Sequence, residues 1–187
     1  GPEKKTRVMG EKERLVTAYH EMGHAIVGHL LPNCDPVHKI SIISRGQALG
    51  YTISLPTEDK FLTTRAELTD TMAMTLGGRA AEEMVFGPEK ITTGAGNDIE
   101  RATGLARRMV TSFGMSERVG PMAIGDAEHE VFLGRELTQR REVSEETARL
   151  VDDEVKRFLD AAYKTAMDAL EAHRDLLESI AEALLER

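Results

Sequence analysis

The sequence predicts a mainly α fold with a small β-hairpin or sheet element, and three observations lead there. Aliphatic residues recur at helical spacing over most of the chain's 187 residues. Aromatic residues make up only 4% and Trp is absent, while Met and Ala are plentiful. That balance suits helices packed through aliphatic side chains better than aromatic-rich strands. Alternation of apolar and polar residues is confined to one stretch, between Val37 and Leu55.

Taken in order, Gly1 to Lys12 is polar and without period, a lead-in or linker. Leu15, Tyr19, Met22, Ile26 and Leu30 mark a helix from about Glu13 to Leu31, which Pro32 stops. Val37 to Ile43 and Gly50 to Leu55 read as two strands, with a loose turn at Ser44-Arg45-Gly46-Gln47. Thr64 and Glu67 have capping-box spacing, and Leu68, Met72 and Leu76 line the helix they open. Gly77-Gly78 inside it costs roughly 1 kcal/mol each against Ala, which implies that something packs very close there. Phe86-Gly87-Pro88 is a strong stop. After the loop Thr92 to Gly96, Asn97 and Glu100 have capping spacing for a helix to about Phe113, and Gly114 to Glu130 reads as irregular. Val151, Val155, Phe158, Ala162, Ala166 and Leu170 mark a long helix opened near Ser144. Leu177, Ile180, Ala181 and Leu184 mark a shorter one, so the chain is expected to end in a helical hairpin. The expected organisation is a linker over 1–12, a core over 13–142 and a C-terminal helical subdomain over 143–187.

Composition excludes several classes. A formal charge of −8 argues against a nucleic-acid partner, since Arg107-Arg108 and Arg140-Arg141 are isolated pairs that suit solvated helix surface. Cys34 is alone and forms no internal disulfide, which fits an intracellular setting. No apolar run approaches the about 18 residues that a bilayer span needs, and no signal peptide stands at Gly1.

The chemistry concentrates in His20-Glu21-Met22-Gly23-His24. His20 and His24 lie one helical turn apart on one face and can share a zinc ion, with Glu21 beside them as a general base for a water at an open coordination position. Chance puts two His and a Glu at this spacing in roughly one chain of this length in a few hundred. Here the motif is also centred on a strongly apolar helix, where two unpaired imidazoles would be expensive. The reading is therefore a zinc peptidase built on a zincin-type active-site helix. A metzincin would need Gly at position 27 and His at position 30, where Val27 and Leu30 stand. His29 is out of register and reads as surface. The third ligand must come from downstream, and spacing leaves two candidates: Glu82 or Glu83 on a helix, as in thermolysin-like enzymes, or Asp98 after the glycine loop.

Further motifs accompany the first. Gly77-Gly78-Arg79-Ala80-Ala81-Glu82-Glu83, the run from Thr92-Thr93-Gly94-Ala95-Gly96-Asn97-Asp98 to Thr103, Gly114-Met115-Ser116 and Phe132-Leu133-Gly134-Arg135-Glu136 follow in order. The set resembles the peptidase domain of the FtsH family, membrane-anchored, ATP-dependent zinc metalloproteases, and the resemblance covers essentially the whole chain. It implies that Asp98 is the third zinc ligand beside His20 and His24, that Glu21 is catalytic, and that Glu82 orients a metal-bound histidine. It also implies a homo-hexamer, unfolded or membrane-protein substrates, and a full-length protein at the cytoplasmic face of a bacterial inner membrane or its organelle equivalent. By analogy with zincins, Gly50, Tyr51, Thr52 and Ile53 form the edge to which an extended substrate adds. No Gly-x-x-x-x-Gly-Lys-Ser/Thr loop is present, and Gly1 to Lys5 looks like the stretch after the family's ATPase domain, so ATP and Mg2+ would belong to a missing part. Two rivals remain: a stand-alone thermolysin-like peptidase using Glu82 or Glu83, and a non-catalytic ring-assembly module with a structural metal. A structural zinc normally has four closed ligands rich in Cys, and only Cys34 is available.

Overall fold

Helix α1 (Glu11–Leu30) is the centre of the computed structural model, which describes residues 10–34, 37–41, 51–54, 62–125 and 143–186. Every residue from Ala18 to Gly28 is buried, so this stretch is enclosed on all sides and not along one stripe only. Helix α2 (Arg65–Phe86) lies against it, opened by Thr64 in the expected capping box with Glu67 and closed at Gly87, whose φ is 89°. The two helices meet at glycines. A Cβ on Gly23 would stand 2.3 Å from the Gly77 carbonyl oxygen, and one on Gly77 would stand 2.7 Å from the Gly23 oxygen. Nothing larger than hydrogen fits at that crossing, which answers why glycines occupy the middle of two helices.

Two short strands, β1 (Val37–Ser41) and β2 (Tyr51–Ser54), pair antiparallel with Val37 opposite Ser54 and Ser41 opposite Tyr51. The other regular elements among the described residues are helical. The readings at Gly50, at the turn 44–47, at Phe132 to Glu136 and at Arg140-Arg141 fall outside the described residues.

Helix α3 (Gly96–Thr111) begins earlier than expected. A 3-10 turn over Thr93–Ala95 runs straight into it, so Ala95 takes the cap position and Asn97 lies inside the first turn without capping anything. Helix α4 (Glu145–Ala172) starts at Ser144, whose side chain accepts from the Thr147 amide, and α5 (Arg174–Leu185) follows at once. These last two do not form the expected hairpin against each other. Val151, Val155, Ala162, Ala166 and Leu170 carry α4 onto α2 and α3, whereas Leu177 and Ala181 carry α5 onto α1. Each amphipathic face finds a different partner, and the five helices among the described residues feed one apolar core. Tyr19 and Phe86 meet edge to face at 5.6 Å across α1 and α2. No helix among the described residues is long and apolar enough to cross a membrane.

One buried charge ties the irregular stretch after α3 to α4. Glu154, wholly buried, accepts from Arg157 Nε (2.8 Å) and Nη2 (2.9 Å), from Ser116 Oγ (2.6 Å) and from Arg118 Nη1 (3.3 Å). The Arg157 guanidinium, opposed by burial and helped by Ser116 and Arg118, holds this carboxyl down to about 2. An unfolded chain titrates it near 4.5. The ionised form therefore stabilises the fold above that pH, and the contribution is lost as pH falls towards about 2. Glu154→Gln is expected to cost about 2 kcal/mol at pH 7 in urea unfolding, a gap that narrows below about pH 4. A gap of the same size at pH 3 would contradict this account.

Candidate metal centre

His20 and His24 project from the buried middle of α1, and their rings meet edge to face at 4.7 Å. The Nδ1 atom of each is fixed from α2. His20 Nδ1 donates to Glu82 Oε2 at 2.6 Å, and His24 Nδ1 donates to the Met74 carbonyl at 2.9 Å. A carbonyl and an ionised carboxylate can only accept, so both rings carry their proton on Nδ1 and turn Nε2 outward as an acceptor. Glu82 is itself locked: it is fully buried, and its Oε1 accepts from the Thr92 amide and hydroxyl, both at 2.8 Å. Gly78 completes the seat. A Cβ there would stand 2.4 Å from His20 Nε2, so the ring lies flat on bare backbone.

Three acceptors converge on one point. His20 Nε2 and His24 Nε2 are 3.1 Å apart, and Asp98 Oδ2, from the first turn of α3, lies 3.0 Å from the former and 3.2 Å from the latter. Such a triangle is repulsive unless a proton or a cation sits at its centre. Ligand atoms bound tetrahedrally to zinc at about 2.0–2.1 Å stand about 3.3 Å from one another, close to the spacing seen here. Glu21 is buried beside the pair, and its carboxylate lies within 4.8 Å of the histidine ligand atoms. The donor set of two imidazoles and one carboxylate, with a further carboxylate alongside, fits a zinc ion with an open position.

Without a metal a proton takes that place. Burial disfavours charge on His20, but the hydrogen bonds to Asp98 and Glu82 outweigh it and raise the imidazole to about 9. Asp98 is also opposed by burial and is held far below the usual carboxylate range by His20 and His24. Glu82 is lowered in the same way, through His20 and Thr92.

A sequence profile for Peptidase family M41 matches residues 7–187. The chain belongs to peptidase family M41. Its M41 relatives include an "ATP-dependent zinc metalloprotease FtsH 1" from Conexibacter woesei, 61% identical over the whole of this chain and 28% of that protein. An "ATP-dependent zinc metalloprotease FtsH 3" from Symbiobacterium thermophilum is 57% identical, again over the whole chain and 30% of its own length. One from Rubrobacter xylanophilus is 56% identical over the whole chain and 28% of its length. The chain thus spans less than a third of the relatives it matches.

Of the residues singled out in this M41 sequence, His20, Glu21, His24, Glu82 and Asp98 come together. Glu83 does not join them: its Oε1 accepts from the Tyr163 hydroxyl on α4. His29 is exposed at the end of α1. Tyr51, Thr52 and Ile53 lie in β2. Sequence reasoning overlooked the Met74 carbonyl, which has no side-chain signature, and Thr92, whose role depends on Glu82 being fully buried. The contact of Gly78 with His20 was announced only as an unexplained close approach.

Proposed function

We propose that the chain is a zinc metalloendopeptidase domain in which His20, His24 and Asp98 hold zinc, Glu21 is the general base and Glu82 fixes His20. The observation that carries this reading is the meeting of His20 Nε2, His24 Nε2 and Asp98 Oδ2 within 3.0–3.2 Å of one another. A zinc ion held there would supply Lewis-acid chemistry for peptide hydrolysis. Glu21, beside the histidines, would take a proton from the attacking water and return it to the leaving amine. Glu82 sits on the far side of the His20 ring with both oxygens engaged, which speaks against it as third ligand and for a positioning role. Its Thr92 anchor links the loop before Asp98 to α2, so ligand and support move as one unit.

The substrates are unfolded polypeptides, entering as an extended strand along Gly50 to Ile53. The relatives' names and the chain's share of their length support a longer ATP-dependent protease. Within it, residues 1–12 link to an ATPase, 13–142 form the peptidase core and 143–187 the helical subdomain. That protein assembles as a hexamer at the cytoplasmic face of a membrane.

Zinc content by elemental analysis, with cleavage of casein peptides, tests the assignment. Wild type should hold about one zinc per chain, and Asp98→Ala should lose it, because two imidazoles alone leave the site open. Glu82→Ala should weaken zinc about 10–100-fold. Thr52→Pro should impair cleavage with zinc retained. Loss confined to Glu82→Ala would move the third ligand to α2, and a wild type without zinc would end the peptidase reading.

A further inference from the structure

A groove of about 310 Å³ lies between α2 and α3, on the helix faces that carry Glu82 and Asp98 at their metal ends. On α2, Thr71, Thr75, Gly78 and Glu82 follow at steps of four, three and four, so they share one face. Glu82 and Gly78 hold His20, and Thr75 and Thr71 line the groove beyond them. On α3, Asp98, Arg101, Leu105 and Arg108 share a face in the same way. Asp98 is at the metal end, and the other three line the groove.

Its chemistry is unusual for a chain of net charge −8. Arg101 and Arg108 stand two turns apart, about 10 Å along α3, with Glu100 the lone acidic residue lining the groove. Arg101 Nη1 lies 3.7 Å from Asp98 Oδ1, the oxygen turned away from the histidines, so the cationic wall begins at the metal site. Arg108 makes no ion pair among the described residues, and its Nη1 lies 3.9 Å from where a Gly104 Cβ would be. Both threonine hydroxyls donate to backbone carbonyls one turn back, to Glu67 and Thr71, so each is already engaged as a donor.

Gly104 is the telling residue. Gly23, Gly77 and Gly78 are required by neighbours under 3 Å from a would-be Cβ, but Gly104 meets nothing closer than 3.9 Å. Mid-helix glycine costs about 1 kcal/mol against Ala, and here no packing contact repays it. What the missing side chain does is keep the groove floor open beneath Arg108.

We propose that the α2–α3 groove is a substrate subsite selective for a carboxylate, either an acidic side chain near the scissile bond or the free C-terminus of the peptide. The proposal rests on the peptidase reading above, because Arg101 on the groove wall stands 3.7 Å from Asp98 of the metal centre. The substrate carboxylate lies between Arg101 and Arg108, and its stem passes over Gly104 and Leu105.

Three fluorogenic peptides of one sequence separate the sources: internal Glu with an amidated end, internal Gln with an amidated end, and internal Gln with a free carboxylate. The zinc-loaded chain is expected to cleave one of the carboxylate peptides about fivefold faster in kcat/KM than the neutral one, the scale of a partly exposed ion pair. Gly104→Gln and Arg108→Gln should each bring that ratio to about one with zinc content kept, whereas Gly104→Ala should raise the melting temperature. Fluorescence anisotropy of the same peptides, labelled, on the zinc-loaded Glu21→Gln chain gives the preference without turnover. A preference absent in both assays, or one that survives Gly104→Gln and Arg108→Gln, overturns the subsite and leaves the peptidase standing. A zinc-loaded chain that cleaves none of the peptides or casein overturns the peptidase, and the anisotropy still decides whether the groove selects carboxylates.

Discussion

Glu21→Gln is expected to lower peptide cleavage by about a thousandfold while the chain still binds about one zinc and melts at its ordinary temperature, because a positioned general base contributes roughly 10²–10⁴ in rate. The amide is isosteric with the carboxylate and keeps the packing of a buried position, but it cannot accept a proton at neutral pH. None of the contacts that hold the proposed ligands depends on it: His20 is fixed by Glu82, His24 by Met74, and Asp98 reaches the site from α3. The variant thus separates catalysis from metal binding. A ring-assembly module with a structural metal would not register the change, so unchanged cleavage in Glu21→Gln, with zinc bound, would overturn the assignment of Glu21 as the base. Metal binding itself should strengthen as pH rises towards about 9, since zinc must displace the proton that His20 holds up to that value. The sign for the metal-free chain is the opposite. The raised His20 stabilises it fully below the ordinary value of 6.5, and that contribution is lost as pH passes about 9.

How much of this site was legible beforehand follows from which signals are local. His20, Glu21 and His24 sit in five consecutive positions, and a helical period of 3.6 is enough to place both imidazoles on one face. The Thr64–Glu67 box and the Gly87 stop are likewise local, and both helix ends fall where the residues put them. Asp98 is a different case. Asn97 has the spacing to cap α3, but the 3-10 turn before the helix moves the cap to Ala95 and leaves Asp98 in the first turn. Asp98 meets the histidines because the Thr92 to Ala95 turn is tied down by Glu82, a contact ten residues away in sequence and invisible to any periodicity. The pairing of α5 with α1 and of α4 with α2 and α3 was also illegible. Two amphipathic helices in succession pack against each other or against third parties with the same stripe pattern. The choice depends on which apolar faces the rest of the chain leaves uncovered.

The doublet Gly77-Gly78 links fold to chemistry, and the two contacts it makes, with Gly23 and with His20, should fail in different ways. Gly77 forms the α1–α2 crossing with Gly23, whereas Gly78, one residue on, is the surface on which His20 lies. In Gly23→Ala the new methyl would come within 2.3 Å of the Gly77 carbonyl oxygen and 2.7 Å of Ala81 Cβ. Both belong to the facing helix, so the two helices must part, at a cost of about 3 kcal/mol or more and several degrees in melting temperature even in metal-free protein. In Gly78→Ala the obstruction is a ring at 2.4–2.7 Å, and a ring can turn more readily than a helix can shift. Yet His20 Nδ1 is held by Glu82, so the only release is to swing Nε2 away from His24 and Asp98. The expected result is a metal-free chain that melts within a few degrees of wild type, helped by the better helix propensity of Ala, but binds zinc about 100-fold more weakly. Calorimetry of the metal-free variants and zinc titration against a competing chelator measure the two effects separately. Wild-type zinc affinity in Gly78→Ala would mean that the His20 ring does not rest on that glycine. Ordinary stability in Gly23→Ala would mean that α1 and α2 do not cross where their glycines meet.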